Sequence, residues 1–99
     1  MWVLRSAEPD GDPWVFRLSP GAIRTIGRTT SVDFIMDAAL VSRIHCRLEA
    51  DDEGVNVVDL ESTNGTFVND TRVERARLSD GDRLRVGRVQ LTIARSPRE

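Results

Sequence analysis

The 99-residue sequence contains no lysine, and it has a single cysteine, Cys46, and a single histidine, His45. One cysteine excludes an internal disulfide framework, and one cysteine with one histidine argues against a zinc site built from these residues. We therefore expect neither a metal nor a cofactor. All fourteen cationic side chains are arginines, a bias typical of GC-rich genomes that favours a bacterial source.

Long apolar runs are also missing, since no stretch approaches the roughly 20 residues needed to span a bilayer. Residues 1–5 lack the basic region followed by an apolar segment that marks a secretory signal. The formal net charge of −2 argues against general nucleic-acid binding, which usually depends on a positive domain. The expectation is a cytoplasmic protein, or a nuclear one in a eukaryote, without membrane or specific nucleic-acid binding.

The length suits one domain with a modest core and leaves little room for a large internal active-site cavity. We assign residues 1–95 to this domain and residues 96–99 to a frayed end or the start of a linker. No useful window shows helical periodicity, and short strand-like segments alternate with turn clusters, the pattern of an antiparallel sandwich. The turn clusters are residues 9–13, 19–21, 51–54, 62–65 and 79–82.

Residues 44–50 alternate strictly between apolar and polar side chains, which predicts a half-buried strand. Its predicted inward-facing residues are Ile44, Cys46, Leu48 and Ala50. Cys46 is accordingly expected to be a core residue rather than a reactive thiol.

Three hairpins follow from the same patterns. The first joins Trp2 and Leu4 to residues 14–18, and the last joins residues 84–86 to 89–93 around a tight Gly87-Arg88 turn. A further turn is expected at residues 69–70, where Asn69 would tie the turn together without touching a ligand.

Three short motifs fall on predicted loops: Gly27-Arg28, Ser42-Arg43-Ile44-His45 and Thr63-Asn64-Gly65-Thr66. Loops at one end of a sandwich converge, so distant residues can surround one ligand there. Two arginine guanidinium groups suit a dianionic tetrahedral group, and two hydroxyls add neutral donors. An asparagine offers both a donor and an acceptor, which suits an extended peptide backbone. This chemistry predicts an anion site.

The series Gly27-Arg28, Ser42-x-x-His45 and Asn64-Gly65-Thr66 resembles the signature of forkhead-associated domains, over nearly the whole chain. The resemblance implies an all-β fold, an antiparallel β-sandwich of about eleven short strands of the SMAD/FHA type, whose apical loops grip phosphothreonine. It also implies a phosphothreonine-dependent protein interaction module in Ser/Thr-kinase signalling. The expected partner is a phosphothreonine-containing protein or peptide, and no catalytic activity is expected.

By the same resemblance, Arg28 and Ser42 match the family's phosphate ligands. Arg43 occupies the next position, where a basic or amide side chain often contributes. Thr63 matches a contact near the phosphate and the threonine methyl group, and Asn64 matches the residue that holds the peptide backbone.

Leu40 lies near the position where the family reads the residue three beyond phosphothreonine. Four further residues match positions that support the site without touching the ligand: Gly27, His45, Gly65 and Thr66. Among these, His45 is expected to brace the binding loop from beneath.

Simpler interpretations of single residues stay open. Arg28 alone would be a solvated charge, Ser42 a turn cap, and Asn64-Gly65 a hairpin turn. A hydrolase that uses Ser42 and His45 is disfavoured, because no Gly-x-Ser-x-Gly elbow is present and residues three apart in a strand point to opposite faces.

The alternative function is an interaction or self-association domain of the same fold that binds partners independently of phosphate. Arginines between residues 72 and 88 form an apparent basic stripe, but Glu74, Asp80 and Asp82 are interleaved among them. We interpret this stripe as a solvated face rather than a nucleic-acid site. The sequence makes no prediction of oligomeric state.

Overall fold

A computed structural model of the chain, which describes residues 1–7 and 12–96, folds into two β-sheets. Within these ranges there is no helix, and therefore none long and apolar enough to cross a membrane. In chain order the strands are β1 (Trp2–Ser6), β2 (Val15–Leu18), β3 (Ile23–Gly27), β4 (Phe34–Ile35), β5 (Cys46–Ala50), β6 (Val55–Asp59), β7 (Thr66–Val68), β8 (Thr71–Val73), β9 (Arg75–Leu78), β10 (Arg83–Val86) and β11 (Val89–Arg95).

Sheet A has the strand order β2-β1-β11-β10-β7-β8, and sheet B has the order β4-β3-β5-β6-β9. The predicted all-β sandwich of about eleven strands is confirmed. One pair departs from the expected antiparallel arrangement, because β3 and β4 run parallel. Residues 28–33 double back beside β3, where Asp33 accepts a hydrogen bond from the Thr25 backbone N–H (2.9 Å), so β4 continues in the direction of β3.

The inner faces of both sheets supply one hydrophobic core. In β1, for example, Trp2 and Leu4 are buried while Val3 and Arg5 lie on the other side, as a two-residue period requires. Cys46 is fully buried in this core, and burial raises the pKa of its thiol to about 12. It is therefore a packing residue, as predicted.

The predicted hairpins are present. β1 pairs with β2, β10 pairs with β11, and β7 pairs with β8. Asn69 and Asp70 both have positive φ angles, 48° and 71°, which is typical of a two-residue hairpin turn. Asn69 joins this turn to β10, because its Oδ1 accepts a hydrogen bond from the Arg83 backbone N–H (2.9 Å).

Two sequence-based expectations fall partly outside the described residues: the turn at residues 9–13, of which 9–11 are not described, and the frayed end, of which 97–99 are not. Ser96 is described, and its backbone N–H donates to the carbonyl oxygen of Met1 at 2.8 Å.

The prediction for Ile44 was wrong. β5 begins at Cys46, and Ile44 is 49% exposed instead of buried. The chain bends at residues 43–44, and the fully buried His45 takes the inward position, with its backbone N–H donating to the Ile26 carbonyl at 2.8 Å. The alternation is regular only from Cys46 onward.

Candidate functional site

A cleft of about 780 Å³ opens at one end of the sandwich, where the loop after β3, the segment before β5 and the β6–β7 loop meet. The six residues predicted to contact the ligand all line it: Arg28, Leu40, Ser42, Arg43, Thr63 and Asn64. These residues come from three separate stretches of the chain. The fold therefore brings together what the sequence only suggested by order and spacing.

Arg28 is fixed at the cleft by its backbone and its side chain. Its backbone N–H lies 3.0 Å from the Ser42 carbonyl oxygen and 3.2 Å from that of Arg43. Its Nε donates to the carbonyl oxygen of Val41 at 3.0 Å. Because Nε holds the guanidinium plane, the two terminal nitrogens keep their donors for a ligand.

Ser42 and Asn64 tie two of the loops to each other. The Thr63 backbone N–H donates to Ser42 Oγ (3.0 Å), so the serine keeps its own hydroxyl proton as a donor. Asn64 Nδ2 donates to the Leu40 carbonyl oxygen at 3.2 Å. This bond leaves the Oδ1 acceptor and one N–H of Asn64 for a ligand.

His45 lies beneath the cleft, fully buried. Its Nδ1 accepts a hydrogen bond from the Ser42 backbone N–H (3.0 Å), which leaves Nε2 to donate to the Gly65 carbonyl oxygen (2.9 Å). Burial lowers the pKa of His45, while the bond to Gly65 and the charge of Asp59 oppose that shift. A neutral imidazole thus connects the two loops.

A second, partly buried network supports the β6–β7 loop. Asp59 Oδ1 accepts hydrogen bonds from the hydroxyls of Ser62 and Thr66, and the Gly65 backbone N–H donates to Ser62 Oγ (3.0 Å). Burial would raise the pKa of Asp59, but these hydrogen bonds outweigh it and the pKa is lowered. Thr66 is thereby placed under the loop, away from the cleft lining.

Two glycines are required by the geometry. A Cβ on Gly27 would lie 2.1 Å from the Arg43 carbonyl oxygen, so only glycine lets β3 pass this close to the loop. Gly65 has a φ of +92°, in the left-handed region that favours glycine, and a Cβ there would lie 2.8 Å from Arg72 Nε.

Two non-glycine residues in the lining also adopt left-handed backbone conformations, Leu40 (φ 69°) and Glu61 (φ 57°). Such conformations cost about 1–2 kcal/mol for residues with a Cβ. Strain of this kind is often found at ligand sites. Here it turns the Leu40 carbonyl to Asn64 and leaves the leucine side chain 46% exposed at the cleft.

Sequence reasoning missed five lining residues: Thr29, Ser31, Val41, Ile44 and Glu61. The Thr29-Thr30-Ser31 hydroxyl cluster directly after Arg28 was a readable signal, and Thr29 and Ser31 are hydrogen-bonded to each other at 2.8 Å. Ile44 was missed because it was assigned to the core. Glu61 gave no signal, since an acidic residue was not expected beside an anion site.

One geometric argument against catalysis does not apply, although its conclusion stands as a prediction. Neither Ser42 nor His45 lies in a strand, and the imidazole contacts the Ser42 backbone N–H instead of its hydroxyl. The chain bends between them, so the rule for regular strands does not apply. Neither ring nitrogen is bonded to Ser42 Oγ, however, since both nitrogens have other partners.

Fold and site together define a β-sandwich with a cationic cleft built from the loops at one end. The family model of the FHA (forkhead-associated) domain matches residues 24–87, and the chain belongs to this family.

Relatives of known name support the membership. The chain is 39% identical over 94 residues to the ABC transporter ATP-binding/permease protein Rv1747 of Mycobacterium tuberculosis, covering 95% of this chain and 10% of that protein. It is 36% identical over 78 residues to the glycogen accumulation regulator GarA of the same species, covering 79% and 48%. The chain thus spans less than half the length of these relatives.

Similar solved structures also support membership of the FHA family. An FHA domain with phosphothreonine-dependent interactions is 31% identical, with a TM-score of 0.81 and coverage of 98% of both chains. The FhaA FHA domain, complexed with the intracellular domain of Rv3910, is also 31% identical with a TM-score of 0.81, covering 94% of this chain and 99% of that one.

Proposed function

We propose that this chain is a phosphothreonine-dependent protein interaction module that acts in Ser/Thr-kinase signalling. The observation that carries the proposal is the cleft itself, in which two guanidinium groups and the hydroxyls of Ser42 and Thr63 line one surface. A phosphate group brings about −1.5 to −2 charge near neutral pH together with acceptor oxygens. The phosphate group therefore supplies the negative charge and the acceptor oxygens that these donors can bind.

Arg28, Ser42, Arg43 and Thr63 are the proposed phosphate ligands. Arg28 contributes most, because its guanidinium is already oriented by the Val41 carbonyl and loses little freedom on binding. Each hydrogen bond to a charged group contributes roughly 1.5–3 kcal/mol. Two or three such bonds separate a phosphorylated from a bare peptide, and an affinity on the order of micromolar remains after ordering costs.

The peptide backbone is assigned to Asn64, whose side chain already bonds the Leu40 carbonyl across the cleft. Leu40 exposes an apolar side chain beside it, which suits contact with a residue flanking the phosphothreonine.

The comparisons support this assignment. Phosphothreonine-dependent interactions characterise one FHA domain that matches over nearly its full length, and FhaA's domain binds the intracellular domain of another protein. GarA is a regulator, and GarA and FhaA are both proteins of Mycobacterium tuberculosis. We extend the proposal to a bacterial, cytoplasmic signalling protein.

The proposed module binds and does not catalyse. Both His45 nitrogens are engaged, one as acceptor from Ser42 N–H and one with the Gly65 carbonyl, so no base is free to activate the Ser42 hydroxyl. The proposed module extends over residues 1–95, beyond the family match, because β1 pairs along its length with β11.

The test is titration calorimetry with a phosphothreonine peptide, its unphosphorylated form and two folded variants. The Arg28→Ala variant is expected to lose about 2 kcal/mol of binding free energy or more, roughly thirtyfold in affinity. Arg75→Ala, at an exposed position in β9 outside the cleft, is the matched control and should bind normally. Unchanged binding by Arg28→Ala would contradict the site. Equal binding of the unphosphorylated peptide would favour the phosphate-independent alternative.

A further inference from the structure

The charges of the two sheets are distributed unequally. The six strands of sheet A contain six arginines and no aspartate or glutamate, whereas sheet B contains Glu49 and Asp59. The arginines of sheet A are Arg5, Arg17, Arg72, Arg83, Arg85 and Arg95. A protein with a formal net charge of −2 thus carries one sheet without acidic residues.

Strand alternation places five of these arginines on the outer side of sheet A, opposite buried neighbours such as Leu4 and Leu84. Cross-strand register groups them. Arg5, Thr92 and Arg83 form one row, and Arg85, Phe67 and Arg72 form another. We call this surface the basic face; its arginines are Arg5, Arg17, Arg72, Arg83 and Arg85.

In the linear sequence no basic surface is evident, because Glu74, Asp80 and Asp82 are interleaved with the arginines. The fold removes these acids from the sheet. Asp82 and Asp80 lie in the β9–β10 turn and accept the backbone N–H groups of Ser79 (2.7 Å) and Arg95 (3.0 Å). Glu74 lies between β8 and β9.

Most arginines of the basic face have no acidic partner among residues 1–7 and 12–96. In the described part of the chain, Arg5, Arg17 and Arg72 are exposed and have no carboxylate partner. Arg83 is 3.3 Å from Asp70, with both side chains largely exposed. Arg85 stacks 4.0 Å above the centre of the Phe67 ring.

We propose that the basic face is a second docking surface, which binds an acidic polypeptide segment rich in aspartate and glutamate. Charge complementarity carries the assignment, since arginine forks pair with carboxylates. Arg85 covers one face of the Phe67 ring, so that face is not available to stack on a nucleic-acid base. The apolar residues Val3 and Val15 are partly buried, which leaves little apolar surface to insert into a lipid bilayer.

The basic face adjoins the cleft. Arg72 packs beside Gly65, whose neighbour Asn64 lines the cleft. One partner can therefore reach both surfaces, although docking on the basic face does not depend on what the cleft binds.

The test uses the whole chain and an acidic peptide of alternating glutamate and aspartate that contains no phosphothreonine. Binding is followed by NMR titration of the ¹⁵N-labelled protein at two salt concentrations. Amide shifts are expected on β1, β8 and β10, with weaker binding at the higher salt concentration. Arg5→Gln/Arg83→Gln, which removes two charges from one row, is expected to weaken binding about fivefold.

The matched control is Arg47→Gln/Arg75→Gln, because these residues also flank one strand in a single row, on sheet B. Each pair includes one arginine with a carboxylate partner, Arg83 with Asp70 and Arg47 with Glu49. The control should bind like the parent protein. Equal weakening by both variants, shifts confined to the cleft, or tighter binding of duplex DNA or of phosphatidylserine vesicles would each overturn the proposal.

Discussion

The cleft and the basic face both present arginines, but they hold them in different ways. In the cleft, Arg28 is fixed by two backbone contacts and by the bond from Nε to the Val41 carbonyl. On the basic face, Arg5 and Arg17 extend into solvent, with no carboxylate partner among the residues described. One region is organised before a ligand arrives, and the other is not.

This difference has consequences for binding. A fixed guanidinium loses little conformational entropy on binding and recognises one geometry. Free arginines lose more entropy, tolerate many arrangements of carboxylates and are screened by salt. We therefore expect selective binding in the cleft and weaker, salt-sensitive binding on the basic face.

The largest expected effect comes from a substitution that disturbs the cleft and leaves the basic face unchanged. In Gly27→Ala the new Cβ would lie 2.1 Å from the Arg43 carbonyl oxygen, so β3 and the loop must separate. We expect the free energy of unfolding to fall by about 3 kcal/mol and phosphopeptide affinity to fall with it. Binding of the acidic peptide should persist in the folded fraction.

Gly81→Ala is the control for Gly27→Ala, because a Cβ at residue 81 meets no atom within 4 Å and adds only the strain of a φ of +92°. That strain costs about 1–2 kcal/mol. Denaturant unfolding of both variants separates the steric effect from backbone strain. Equal losses in the two variants would show that the close approach at Gly27 is unimportant.

A smaller effect comes from pH. Burial lowers the pKa of His45 in the folded protein, while in the unfolded chain it is about 6.5. As the pH falls below about 6.5, the unfolded chain binds the proton first, so stability decreases, by at most about 1.4 kcal/mol per pH unit. Above that pH, the contribution of neutral His45 to the free energy of unfolding is fully present. Phosphopeptide binding by the folded protein should weaken only at lower pH, where His45 is protonated in the folded state, because a protonated Nδ1 cannot accept the Ser42 N–H.

His45 is the only histidine of the chain, so His45→Asn gives a direct control. Its free energy of unfolding, measured between about pH 7.5 and pH 5.5 where the carboxylates stay ionised, should be lower throughout and nearly independent of pH. An unchanged slope in this variant would assign the pH dependence to another group.

A second contrast, between regular strands and irregular loops, explains which parts of the structure could be predicted from the sequence. Strands β1, β5 and β10 follow the two-residue period, so Trp2, Leu48 and Leu84 could be assigned to the core from the sequence. The short motifs led to the cleft because their order matches a family.

Ile44 and Glu61 were not predictable for a physical reason. Both lie where the chain leaves regular structure, at the bend before β5 and at a left-handed residue in the β6–β7 loop. No periodicity applies at such positions, since tertiary contacts set the backbone there. The basic face was missed for another reason, because sequence neighbours such as Arg83 and Asp82 separate only when strand register and turns are known.

The smallest effect sharpens the comparison by removing one carboxylate from each surface. Glu61 lines the cleft, and Asp70 lies beside Arg83 on the basic face. Glu61→Gln should strengthen phosphopeptide binding about twofold and leave the acidic peptide unaffected, since exposed charges several ångströms apart interact by about 0.5 kcal/mol. Asp70→Asn should strengthen binding of the acidic peptide and leave phosphopeptide binding unaffected. Asparagine tolerates the left-handed φ of 71° at this turn. Calorimetry with both peptides on both variants measures the four affinities, and if either substitution improves both peptides equally, the two surfaces do not act as separate sites.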